Sequence, residues 1–128
     1  MARNGNPRLS VFKGREAKLN RAIFLVLADE SPLSIRQVCK KVRNFRDFRY
    51  TQYRVVNRRV KALQQEGYLK LVEVKITLQG FQSKQFELTS RAYLAFVLES
   101  VDFDALIQSK KEEKLITLLA TILEVINV

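Results

Sequence analysis

The sequence predicts an α+β fold, mostly α, in which three helices precede a β-hairpin and further helices close the chain. Three observations carry that reading. Apolar residues recur at helical spacing through residues 16–66, the period switches to two directly after Gly67, and the chain ends in a segment apolar nearly all round. The 128 residues, 47% of them hydrophobic, suffice for a single core, and neither a Gly/Pro- or Ser-rich linker nor an internal repeat divides them.

Residues 1–14 read as a flexible basic arm with the apolar anchors Leu9, Val11 and Phe12. The first helix, over 16–29, buries Leu19, Ile23, Val26 and Leu27, which share one face, while Phe24 and Leu25 widen the stripe. Ser31, Pro32 and Leu33 form a turn. Ser34 then opens the second helix, and Gln37 three residues later completes the form of a capping box. Its inner stripe is Ile35, Val38, Cys39 and Val42, and its outer face carries Arg36, Lys40, Lys41 and Arg43.

A connection over 44–50 alternates aromatic and basic residues. Core packing is the expected role for most of the rings of Phe45, Phe48, Tyr50 and Tyr53. The third helix spans 52–66, with Thr51 as its N-cap and Gly67 as the glycine that ends it. Tyr53, Val56, Val60 and Leu63 make its buried face. Beyond Gly67 a strand runs to Thr77, a turn or loop covers 79–84, and a second strand over 85–89 pairs back. Thr89 and Ser90 cap a helix over 91–99, a break at 101–105 follows, and a last helix starts near Leu106 or Ser109 and runs to about Asn127.

Charge is unevenly placed. The net charge is +10, but residues 1–98 carry +13 and residues 99–128 carry −3. Residues 36–61 hold ten basic side chains against one acid, Asp47. A basic body with a mildly acidic, apolar tail points to a polyanion at one end and protein at the other.

On the third helix Thr51, Arg54, Arg58, Ala62 and Gln65 point away from the buried face, flanked by Val55 and Lys61, with Asn57 and Arg59 on the shoulders. A helix that enters the major groove of DNA needs such a pairing of a mounting face with long hydrogen-bond donors. Arg54 and Arg58, one turn apart, suit guanine edges or phosphates, and Lys61 suits phosphate. Thr51 and Gln52 sit where helix-terminal N–H groups attract phosphate. Arg43, Arg46 and Arg49 extend this surface upstream, and Asn57 and Val55 border it. At the hairpin Gln82, Ser83 and Lys84 form the expected tip contact. The last helix presents Leu115, Leu118, Leu119, Ile122, Leu123 and Ile126 as a homodimer interface, because so apolar a helix needs more cover than one small body offers.

The run from Val56 through Val60 and Leu63 to Gly67, Tyr68 and Leu69, returning at Phe86, Glu87, Leu88, Thr89 and Ser90, resembles the winged helix-turn-helix superfamily, including compact regulators of the MarR and PadR kind. The resemblance covers residues 16–98. It implies a winged helix-turn-helix domain over 15–98, with the arm at 1–14 before it and a C-terminal dimerisation helix within 99–128. It also implies sequence-specific binding of double-stranded DNA by a homodimeric transcriptional regulator in a prokaryotic cytoplasm or nucleoid. The connection at 44–50 departs from the pattern, being longer than the usual 3–4-residue turn.

Other classes find less support. There is no histidine, and the single cysteine, Cys39, lies in an apolar stripe, as a core thiol in a reducing compartment does. With no clustered acid pair, neither an enzyme, a cofactor nor a metal site is expected. The 14-residue apolar run at 115–128 falls short of a membrane span, and no signal-peptide pattern opens the chain. Nothing supports a small-molecule effector. Two alternatives stand beside the DNA reading: a winged-helix protein-interaction module, and an RNA or single-strand binder using the aromatic–basic connection.

Overall fold

Helical apolar spacing sets the body of the computed structural model, which describes residues 9–108 and 111–126. α1 (Ala17–Asp29) buries Leu19, Ile23, Phe24, Val26 and Leu27. Leu25 faces solvent, so the stripe widens only on the Phe24 side. α2 (Ile35–Val42) begins with the expected capping box: the Ser34 hydroxyl accepts from the Gln37 amide, and the Ser34 amide donates to the Gln37 side chain at 2.8 Å. Its Val38, Cys39 and Val42 are buried. α3 (Tyr53–Gln65) lays Val56, Val60 and Leu63 into the same core.

The end of α3 follows from one residue. Gly67 adopts φ +87°, the left-handed region that favours glycine. The Gly67 amide donates to the Gln64 carbonyl and the Tyr68 amide to the Leu63 carbonyl, the paired bonds of a Schellman ending. The chain therefore leaves α3 directly into β2 (Leu69–Ile76), which pairs antiparallel with β3 (Gln82–Leu88).

Leu33 and Ser34 form β1, a two-residue strand paired with Phe86 and Gln85, where the spacing predicts a turn and a cap. So short a strand carries no period to read. The sheet is three-stranded and antiparallel in the order β1-β3-β2, and the fold is α+β and mostly helical. A β-bulge interrupts the register between Leu71 and Glu73.

The N-terminal segment is part of the core from Val11 onward. Residues Ser10–Phe12 form a 3₁₀ turn with Val11 and Phe12 buried, whereas residues 1–8 of the expected arm lie outside the described residues. Asn20, buried on α1, donates to the Val11 carbonyl at 2.8 Å. The Phe12 ring meets Phe24 edge-on at 5.5 Å, and Phe96 of α4 (Ser90–Ser100) packs on both. Arg21 lies 5.0 Å over Phe12 and bonds Glu99 at 2.9 Å, which fastens α4 to α1.

Thr89 caps α4 as expected, accepting from the Ala92 amide, and its hydroxyl also donates to the Gly67 carbonyl at 2.6 Å. The close of the chain is two helices, not the single one expected: α5 (Phe103–Gln108) and α6 (Glu112–Ile126). Asp102 starts α5 by accepting from the Ala105 amide, a cap that ends the break earlier than the apolar pattern does.

Candidate nucleic-acid interface

The outward face of α3 is mounted by its opposite face. Val56, Val60 and Leu63 are fully buried, which fixes the helix about its axis and commits Arg54, Arg58, Lys61 and Gln65 to solvent. Arg58 and Lys61 have no carboxylate partner among the described residues. Arg54 donates from Nε to the Gln52 side chain at 3.0 Å, a contact that pre-aims the guanidinium at the helix N-terminus.

Not every arginine of α3 faces out. Arg59 turns toward α1, with a side chain only 17% exposed and Glu16 at 4.0 Å. Its Nε is buried without a hydrogen-bond partner among the described residues. Ala62, Asn57 and Val55 are half-buried, and Val55 packs against the core. Val55 thus borders the basic face and does not stand on it.

The N-terminal edge of α3 differs from expectation in two places. The N-cap is Gln52, without a side-chain capping bond, and Thr51 precedes it. The Thr51 carbonyl is held by Arg43 Nε at 2.8 Å, so Arg43 ties the end of α2 to the start of α3. Tyr53, assigned to the buried face, is 41% exposed. The Arg36 guanidinium of α2 lies over its ring, 5.5 Å from the centroid.

The connection over 44–50 is ordered by a 3₁₀ turn, Arg46–Phe48. Phe45 and Phe48 pack on the core, which leaves Arg46, Arg49 and Tyr50 exposed around them. A shallow, open depression of about 220 Å³ lies between this connection and α1, lined by Lys18, Arg21, Leu25, Phe45 and Phe48 among others. Lys41 on α2 is paired with Glu30 at 2.7 Å, and that hydrogen bond, with the attraction of the same carboxylate, raises its pKa above the ordinary lysine value.

The hairpin is offset from the sequence reading. The loop is 77–81, closed by Gly80 at φ +86° and by bonds between Thr77 and both Gly80 and Phe81. Gln82, Ser83 and Lys84 are therefore strand residues, opposite Ile76, Lys75 and Val74. Their polarity suggested a loop, but a strand that projects from the body needs no apolar side. The alternation in β2 likewise has no buried face: beyond Leu69 every residue of the strand is exposed. Leu78 and Phe81 at the tip, which no charge or helical period marks, are the exposed residues the sequence reading missed.

On α6, Leu118, Leu119, Ile122 and Leu123 are exposed on the single chain and Leu115 is half-buried. The Ile126 side chain lies outside the described residues. Among the described residues no group of three His, Cys, Asp or Glu could hold a metal ion, and no helix is long and apolar enough to cross a membrane. Comparison with protein-family models, curated proteins and solved structures finds no match for this chain.

Proposed function

We propose that this chain is a winged helix-turn-helix protein that binds double-stranded DNA with the outer face of α3 in the major groove, as a homodimeric transcriptional regulator. The observation that carries the reading is the pair Arg54 and Arg58. They stand one turn apart on the exposed side of a helix whose other side buries Val56, Val60 and Leu63 completely. A solvated charged face needs neither so rigid a mount nor so one-sided a charge, with ten basic residues against a single acid over 36–61. Rigid presentation of long donors is what base-edge readout requires.

Arg46, Arg49 and Lys61 supply the flanking phosphate contacts, and the amides at the start of α3 add helix-terminal ones. Homodimerisation rests on α6, whose exposed Leu118, Leu119, Ile122 and Leu123 are covered by the same helix of a second copy. A two-fold pair also sets two α3 helices about 34 Å apart, one turn of duplex.

Fluorescence anisotropy with a 30-base-pair duplex at two salt concentrations tests this. Binding tightens as salt falls, each neutralised phosphate contributing about −0.9 to the log–log slope. Arg54→Ala/Arg58→Ala weakens it, and single strands compete poorly. Absence of duplex binding at low salt refutes the reading in favour of a protein partner. Preferential binding of single strands moves the site to exposed Tyr50 and its neighbouring arginines.

A further inference from the structure

The tip of the hairpin is built unlike a solvent-facing turn. Leu78 is fully exposed, Ile76 is 73% and Phe81 70% exposed, and Val74 continues the apolar line down β2. A β-strand rise of about 3.4 Å per residue carries the tip on the order of 15 Å beyond the last buried pairing at Gln85. A stable protein interface needs roughly 800 Å² from each partner, more than the three tip side chains Ile76, Leu78 and Phe81 offer by themselves.

Its shape is nonetheless held. Thr77 bonds Gly80 and Phe81 across the loop, so Leu78 and Phe81 are presented by a closed turn over 77–81. At the base, the Thr89 hydroxyl and the Arg91 guanidinium bond the carbonyls of Gly67 and Glu66, which locks the hairpin to the end of α3. The charge around the tip is cationic. Lys84 is free of carboxylates among the described residues, while Glu73 and Glu87 are each matched by a lysine, Lys75 and Lys70.

We propose that the hairpin tip is a minor-groove wedge: Leu78 and Phe81 enter between stacked base pairs of duplex DNA and kink it, with Lys84 on the adjoining phosphate. The proposal rests on the duplex-DNA reading of α3. A minor groove about 6 Å wide excludes the two-stranded ribbon but admits side chains from its turn. Apolar side chains at such a tip unstack a base step and bend the duplex by about 20–90°, which brings more of the flanking DNA onto the protein. An apolar tip rimmed by a cation, on a frame rigid with the groove-reading helix, has the composition this task requires.

The test uses the full chain and duplexes labelled for end-to-end energy transfer, with 2-aminopurine placed at successive steps beside the bound site. Wild type shortens the end-to-end distance and brightens 2-aminopurine at one step. Leu78→Ser/Phe81→Ser, whose altered residues are exposed and leave the melting temperature unchanged, abolishes both signals while duplex binding persists, weakened about tenfold. Arg54→Ala/Arg58→Ala loses binding without altering the bend of whatever complex remains. Wild-type binding with a straight duplex and dark 2-aminopurine overturns the wedge but leaves the α3 reading intact; no duplex binding removes the α3 reading itself. A tip variant that changes the sedimenting mass and not the bend also overturns the wedge, and assigns the tip to contact between copies.

Discussion

At the scale of the residue, direction is decided by what each side chain meets. Arg54, Arg58 and Arg59 are close in sequence, yet two are exposed and the third turns toward Glu16, the residue that precedes α1. Helical geometry made Arg54 and Arg58 legible in the sequence, because they lie opposite Val56, Val60 and Leu63. The same geometry puts Tyr53 on the face of Val56, but its ring is 41% exposed at the edge of that face, with the Arg36 guanidinium over it. Two substitutions test the frame beneath this face. Leu63→Ala removes a fully buried side chain and costs about 2–5 kcal/mol in chemical denaturation. Gly67→Ala forces a Cβ into a left-handed backbone with the Arg91 guanidinium 3.5 Å away, and costs about 1–2 kcal/mol. Neither touches the outer face, so duplex affinity of the folded fraction stays unchanged. The Lys41–Glu30 pair has its own sign. A lysine pKa raised in the folded state stabilises fully through neutral pH and fades only as pH climbs through the lysine range. Glu30→Gln therefore lets the Lys41 pKa fall back toward the ordinary lysine value and removes this contribution to stability at pH 7, read as a lower melting temperature there and a smaller difference from wild type as pH climbs through the lysine range.

At the scale of the element, endings were more legible than short or polar segments. Ser34 with Gln37, Gly67 after α3, and Thr89 before α4 each carry a capping chemistry that a few residues specify. Ser34→Ala removes the hydroxyl half of the capping box and lowers unfolding free energy by about 1 kcal/mol, while Ser34→Asp restores most of it. β1 escaped because two residues have no period. The hairpin loop begins two residues and ends three residues earlier than the pattern predicts, because Gln82, Ser83 and Lys84 are polar and polarity normally marks a turn. In a strand that stands free of the core, polarity carries no such information. The division between α5 and α6 was blurred for the opposite reason: apolar residues run through both helices, and only the Asp102 cap marks where α5 starts.

At the scale of the whole molecule, the chain separates two surfaces. The basic charge lies before residue 99, and the exposed apolar helix α6 lies after it. Under the proposed function the basic end meets DNA and α6 meets a second copy, so that the dimer straddles two half-sites. On this account wild type sediments at twice the 14.9 kDa chain mass. Leu119→Asp/Ile122→Asp sediments at the chain mass and binds a single half-site as weakly as one copy can. A wild-type chain that sediments as a monomer at micromolar concentration removes the dimer from the account and leaves α3 to act alone.

The claim on which these scales converge is that the outer face of α3 meets duplex DNA. Titration of the ¹⁵N-labelled chain with a short duplex, followed amide by amide in two-dimensional NMR, tests it most directly. The account predicts shifts concentrated over residues 36–61 and at the hairpin tip 77–84, with α1 and α6 silent. Shifts confined to α4, α5 and α6, or none at low salt, would contradict it.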